Sequence, residues 1–147
     1  MKEQDLEDLI LFQIDRANKM AKIYSQRKMD KAGIDITVDQ WVLLKIIEKW
    51  EELSQRELAE HSKRDPASIT RTLHILQQKG FVNREPLPDN RRQYSVKLSQ
   101  AGKAFVKKNM ALVTSLRQKS INGFSDEELH QLRDMLVRIQ ENMSEGD

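Results

Sequence analysis

Ala67, Ser68, Thr70, Arg71 and His74 fall within eight residues of a segment whose spacing reads as a helix. At about 100° per residue, Ala67, Arg71, His74 and Gln78 centre on one face, flanked by Ser68 and Thr70, while Ile69, Leu73 and Leu76 fall opposite. Small residues let a backbone come close to a surface. Hydroxyls bond phosphate oxygens or base edges, and an arginine fork matches O6 and N7 of guanine. That is the chemistry of reading a DNA groove. An ordinary surface helix would also carry polar residues on its outer face, so the surrounding elements have to decide between the two.

Those elements form an ordered set. Ser54 suits an N-cap with Glu57 three residues on, and Leu53 and Leu58 stand where a hydrophobic staple needs them, so a helix is predicted from Ser54 to about His61. Gln55 and Arg56 lie in its first turn. After the turn Ser62-Lys63-Arg64, Asp65 is an N-cap and Pro66 occupies the first helical position, where its missing N–H does no harm. With Pro66 and Ala67 at its start, that helix would leave an open N-terminus able to meet a phosphate. It should end at Lys79-Gly80-Phe81, a Schellman stop. Two helices joined by so short a turn make a helix-turn-helix.

Phe81 to Arg84 and Tyr94 to Leu98 have strand composition, and Tyr94, Val96 and Leu98 alternate with polar residues. They predict a hairpin. The connecting loop, Glu85 to Arg92, carries two prolines, a turn-forming Asp89-Asn90 pair, and Arg91 and Arg92 at a tip suited to phosphates or a narrow minor groove. Trp50 to Leu53 could add a short strand at the edge of this wing.

Taken together, Ser54-Gln55-Arg56-Glu57-Leu58-Ala59, Asp65-Pro66-Ala67-Ser68-Ile69-Thr70-Arg71, Lys79-Gly80-Phe81-Val82-Asn83-Arg84 and Asp89-Asn90-Arg91-Arg92 leading to Leu98-Ser99-Gln100-Ala101-Gly102 resemble the winged helix-turn-helix of the MarR family (multiple antibiotic resistance regulators). The order and spacings fit over nearly the whole chain. The resemblance implies a mainly α fold with a small β-hairpin wing, a helix bearing Thr70 and Arg71 in the major groove, and Arg91 in the minor groove. It also implies that Asp89 holds the wing and that the terminal helices interlock into a homodimer. The site residues expected to meet double-stranded DNA are then Ser54, Gln55, Arg56, Pro66, Ala67, Ser68, Thr70, Arg71, His74, Arg84, Asp89, Arg91 and Arg92.

Charge distribution agrees. Residues 54–97 hold nine Lys/Arg against five Asp/Glu, a balance of +4, whereas the 147-residue chain totals +2. Basic charge thus gathers in the DNA-reading stretch, as a footprint on phosphates requires. The excess is small, so tight binding should depend on pairing two such lobes.

Both ends of the chain supply seams for that pairing. Near the N-terminus, Leu6, Ile10, Gln13, Ala17, Met20 and Tyr24 step by four and three along one long expected helix, with Leu9 beside them. Thr37 and Gln40 form a capping box for the next helix, which carries Trp41, Leu44 and Ile47. Ser99 should cap a helix through Phe105 that ends near Asn122-Gly123. Ser125 and Glu128 form another box, after which Leu129, Leu132, Leu136, Ile139 and Met143 step by three and four. Packing within one subunit would also use such stripes, but two narrow seams favour an intersubunit role. The expected organisation is residues 1–36 as an N-terminal dimerisation helix, 37–98 as the DNA-binding lobe and 99–147 as C-terminal dimerisation helices.

A dimer reads half-sites about one helical turn apart, on the order of 34 Å. A ligand that prefers a dimer of the wrong spacing lowers DNA affinity. The resemblance implies a small aromatic effector of this kind, in a cleft drawing on Tyr24, Trp41, Leu44 and Phe105, although plain core packing is the simpler account of those four residues. Repression is the expected sense of regulation.

Other chemistry is poorly supported. His61, His74 and His130 are too scattered for a zinc site, and no nucleophile with a base or phosphate-cradling glycine loop stands out, so neither an enzyme nor a cofactor is expected. With no cysteine there is no disulfide, which suits a reducing cytoplasm. No apolar run exceeds four residues, as at Leu9 to Phe12, so no membrane partner is expected. The rival reading is a winged-helix module for protein assembly without DNA binding, which would have little use for Arg91 and Arg92.

Overall fold

The computed structural model describes residues 5–50, 52–87 and 89–144, with the side chains of residues 90–93 left aside. It is mainly helical with a small antiparallel sheet, in the order α1 (Ile10–Lys31), α2 (Val38–Lys49), β1 (Leu53–Ser54), α3 (Gln55–Ser62), α4 (Pro66–Gln78), β2 (Val82–Leu87), β3 (Asn90–Leu98), α5 (Gln100–Ser120) and α6 (Asp126–Ser144). The chain falls into two compact units that divide at Ala111/Leu112, inside α5.

In the first unit, local capping chemistry fixes where the helices start. Thr37 Oγ1 accepts from the Gln40 amide at 3.1 Å while the Gln40 side chain returns to the Thr37 amide at 3.0 Å, closing the expected box at α2. Ser54 and Glu57 do the same at α3, with the Ser54 hydroxyl accepting at 3.0 Å and the Glu57 carboxylate at 3.4 Å. The stop of α4 is a full Schellman motif. The Phe81 amide donates to Leu76 O and the Gly80 amide to Gln77 O, both at 3.0 Å, around Gly80 at φ +81°. Corresponding bonds from Ile34 and Gly33 close α1.

The N-terminal helix is shorter than expected. Leu6–Asp8 form a 3-10 turn, and Leu9 has extended backbone (φ −78°, ψ 122°), so α1 starts at Ile10 and the seam loses Leu6 and Leu9 as helical positions. A side-chain bond that spacing alone does not reveal accompanies the break: Gln13 Nε2 donates to the Glu7 carbonyl at 2.8 Å.

The core of this unit gathers Leu43, Leu44 and Ile47 from α2, Leu58 from α3, Ile69, Leu73 and Leu76 from α4, and Val82 and Val96 from the sheet, all essentially fully buried. Fully burying a side chain of this size contributes about 1.5–3 kcal/mol, so α4 is held mainly by its inner stripe. The sheet order is β1-β3-β2, with Leu53 opposite Val96 and Val82 opposite Leu98. The possible strand edge near Trp50 is thus only Leu53–Ser54.

The wing differs from expectation in its reach. Its strands extend through Leu87 and from Asn90, so most of the segment expected as loop is strand. Pro86 pairs with Tyr94, and β2 is an outer strand, where a missing N–H is tolerated; the register shifts between Pro86 and Leu87. Next, α5 crosses the α4–β2 corner closely. A Cβ on Gly102 would lie 2.1 Å from the Phe81 carbonyl oxygen, so only glycine fits there. Ser99 Oγ accepts from the Gly102 amide at 2.9 Å, capping α5 as expected.

The second unit contains the end of α5, a turn with Gly123, and α6. Helix α5 ends at Ser120, slightly before the Asn122-Gly123 stop expected from sequence. At α6, Ser125 Oγ accepts from the Glu128 amide at 3.1 Å and the Glu128 carboxylate accepts from the Ser125 amide at 2.9 Å. The Ser125 amide, and then its hydroxyl, hold the Glu128 carboxyl below its ordinary range. No residue of α6 is buried.

Candidate nucleic-acid interface

Helix α4 presents the outer face expected of it. Ala67, Thr70, Arg71, His74 and Gln78 are exposed and Ser68 is half-buried, while Ile69, Leu73 and Leu76 are sealed beneath. Arg56 is also exposed and lies 3.7 Å from Glu60. Arg56, Pro66 and Thr70 lie on one side of the α3–α4 pair. Arg56, Pro66, Thr70, Arg84 and Tyr94 line a cavity of about 610 Å³ there, together with Gln55, Ala59, Glu60 and Arg64.

Two of the expected roles change. The Asp65 carboxylate accepts from the Ser68 amide at 2.9 Å, so the start of α4 is capped by a carboxylate and is not the open anion-binding terminus expected from Pro66 and Ala67. Ser54 is buried, with its hydroxyl taken by the Glu57 amide, so it serves this face by holding α3 in place.

Gln55, Thr70 and Arg84 are joined to one another. Gln55 Nε2 donates to Thr70 Oγ1 at 2.7 Å, Arg84 Nη1 donates to Gln55 Oε1 at 3.4 Å, and Arg84 Nε donates to Gln77 Oε1 at 3.0 Å. The Arg84 guanidinium also lies 5.4 Å from the centroid of the Tyr94 ring. This web links α3, α4 and both long strands of the wing.

Sequence reading missed a second web, under the turn. Arg64 Nη2 donates to Ser68 Oγ at 2.6 Å and to Thr72 Oγ1 at 3.0 Å, and Thr72 itself is buried. The signal was present in Ser68 and Thr72, two hydroxyls four apart with Thr72 beside the inner stripe. Lys63 ends α3 with a left-handed φ of 56°, which turns the chain toward Arg64.

Asp89 lies exposed in the wing turn. Arg91 and Arg92 belong to β3, but their side chains fall outside the described residues. Of the four candidate cleft residues, Trp41 and Leu44 are buried, and Tyr24 and Phe105 are half-buried. Phe105 stacks on Phe81 at 4.3 Å and lies 6.4 Å from Trp41, so an aromatic cluster fills the space between α2 and α5. No group of His, Asp or Glu among the described residues is arranged to hold a metal ion, and no helix among them is long and apolar enough to cross a membrane.

A short helical pair whose second helix turns its polar face outward, followed directly by a two-stranded hairpin that joins β1 in a three-stranded sheet, defines a winged helix-turn-helix protein. Residues 36–94 match the MarR family model. Solved structures agree over almost the full length. A probable transcriptional regulator from Pseudomonas aeruginosa is 26% identical, with 92% of this chain and 99% of that one covered and a TM-score of 0.80. A MarR-family transcriptional regulator from Rhodococcus sp. RHA1 is 25% identical, with coverage of 93% and 96% and a TM-score of 0.81. A mutant MarR from E. coli, solved in complex with operator DNA, shares the fold at 24% identity, with coverage of 93% and 99% and a TM-score of 0.80.

Proposed function

We propose that this chain is a sequence-specific, double-stranded-DNA-binding transcriptional regulator, acting as a homodimer on a pseudo-palindromic operator and repressing from it. The observation that carries the reading is α4: its outer face offers Ala67, Thr70, Arg71 and His74 to solvent while the stripe beneath is sealed. A helix fixed in this way presents a constant set of donors and acceptors, which base readout demands. Arg71 supplies the bidentate contact to guanine, Arg56 meets the backbone, and Arg91 and Arg92 of the wing reach the minor groove.

Residues 37–98 are the reading lobe in this proposal, and the segments 1–36 and 99–147 bring two lobes together. In support, Ile10, Met20, Leu132 and Met143 are exposed apolar residues on the two terminal helical segments. A small aromatic effector would act by opening the Trp41–Phe105–Phe81 cluster and changing the distance between the reading helices.

Selection of bound sequences from random duplex DNA tests the reading, and the expected product is an inverted repeat with half-sites one helical turn apart. Arg71→Ala should cost about 1–3 kcal/mol of discrimination and relax selectivity at one base pair per half-site. Equal affinity of the wild type for selected and scrambled duplex would sink base readout and favour the assembly-module reading.

A further inference from the structure

Strand pairing gives Arg84 an unusual place for a cation that meets DNA. Arg84 pairs with Val96 and lies two residues from Val82, so it falls on the same sheet face as those two fully buried side chains. That face is turned to the helices. From there the guanidinium forks, with Nε to Gln77 Oε1 at 3.0 Å and Nη1 to Gln55 Oε1 at 3.4 Å, and its plane lies near the ring of Tyr94. It reaches three other elements, of which α3 is remote in sequence, and Gln77 stands beyond the leading turns of α4.

The bonds also have a direction that travels outward. Because Gln55 Oε1 accepts from Arg84, the Gln55 amide is oriented with Nε2 toward Thr70, where it donates to Oγ1 at 2.7 Å. A hydroxyl has one proton and two lone pairs. Thr70 gives its proton to the Pro66 carbonyl at 2.9 Å and one lone pair to Gln55, which leaves a single lone pair for anything outside. Thr70 is therefore an acceptor only. On the major-groove edge the groups that satisfy an acceptor are the amino groups of adenine N6 and cytosine N4.

We infer that Arg84 is a specificity-determining positioning residue: it fixes the Gln55 amide, and through it sets the Thr70 hydroxyl to accept from an amino-bearing base. This rests on the DNA-binding reading above. It differs from the sequence expectation, in which Arg84 touches DNA itself.

A phosphate contact and a clamp respond differently to the same substitutions. Lysine keeps the charge but cannot fork between two glutamines, and Gln77→Ala keeps both the charge and the arginine while removing one anchor. Four proteins, wild type, R84K, R84Q and Q77A, are compared by selection from random DNA, by the slope of log affinity against log salt, and by hydrogen exchange of the wing amides of Val82 to Glu85 and Leu87 without DNA. The expected result is loss of the adenine-or-cytosine preference at the base facing Thr70. The ratio of selected over scrambled affinity should fall about tenfold in R84K and R84Q alike, and less in Q77A. The salt slope of R84K should stay at the wild-type value, and wing exchange should quicken in all three variants.

A wild-type ratio in R84K combined with a slope reduced by about one in R84Q would make Arg84 a phosphate contact and overturn the inference. So would unchanged wing exchange in all three variants. Should the wild type show no sequence preference at all, the DNA-binding reading falls by itself, and the exchange measurement alone still decides whether Arg84 clamps the wing.

Discussion

Helices α4 and α6 begin alike and end up in opposite surroundings. Each has a side-chain cap at its start, Asp65 for α4 and Ser125 with Glu128 for α6, and each carries an apolar stripe at helical spacing. In α4 that stripe is sealed: Ile69, Leu73 and Leu76 are fully buried. In α6 nothing is buried, and Leu132 and Met143 are 45% and 64% exposed. Periodicity therefore reports that a face wants cover and is silent about its source. For α4 the source is the rest of its own unit. For α6 the proposed dimer would supply it from a second copy of the chain.

The strongest challenge to this contrast is Leu132→Asp combined with Leu136→Asp. In a single chain Leu132 is exposed and Leu136 half-buried, so the double variant should fold. In a dimer each charge would be buried without a partner. Sedimentation should show a monomer, and tight operator binding should vanish. An intact dimer would remove α6 from the interface and break the comparison.

A smaller effect separates the helices by stability. Leu73→Ala should cost about 2–5 kcal/mol in denaturant unfolding, because α4 sits in a packed core that relaxes only partly. Leu132→Ala should leave dilute protein nearly unchanged and weaken it only in a concentration-dependent manner. Equal losses at every protein concentration would mean that both stripes are covered within one chain.

The smallest effect concerns the start of α6. Its capping bonds hold the Glu128 carboxyl below the ordinary value of 4.5, so the cap is at full strength above that pH and is lost as pH falls through the lower folded value. Helicity of α6 followed by NMR should decline in that acid range, and Glu128→Gln should remove most of that dependence. A variant with an unchanged acid profile would show that the box contributes nothing to the helix.

What could be read from sequence was mostly local. The boxes at Thr37/Gln40, Ser54/Glu57 and Ser125/Glu128 and the stop at Gly80 each involve residues within five of one another, and all form where the spacing put them. Errors arose where a residue's habit gave way to its place in the fold. Pro86 read as loop, yet an outer strand accommodates it. Asp65 read as the N-cap of α4 and is one, but that cap occupies the start that Pro66 and Ala67 were read as leaving open.

Of the candidate interface, the outward face of α4 was legible because it follows from a single helix. The Arg84 web was not. Gln55 and Arg84 are 29 residues apart and meet only after the hairpin has folded beside α3 and α4. A hint was available in the alternation of Val82 and Arg84, which already places that arginine on the side of a core valine.

The proline in β2 has one further consequence, for crowding. An outer strand displays unpaired backbone groups that can template a strand from another molecule, and the wing projects such a strand at its free edge. Pro86 removes one of the donors such a template needs, and the register shift beside it interrupts the regular spacing that a neighbouring chain would have to match. The free edge of the wing is thus a poor template for edge-to-edge polymerisation between copies of the chain.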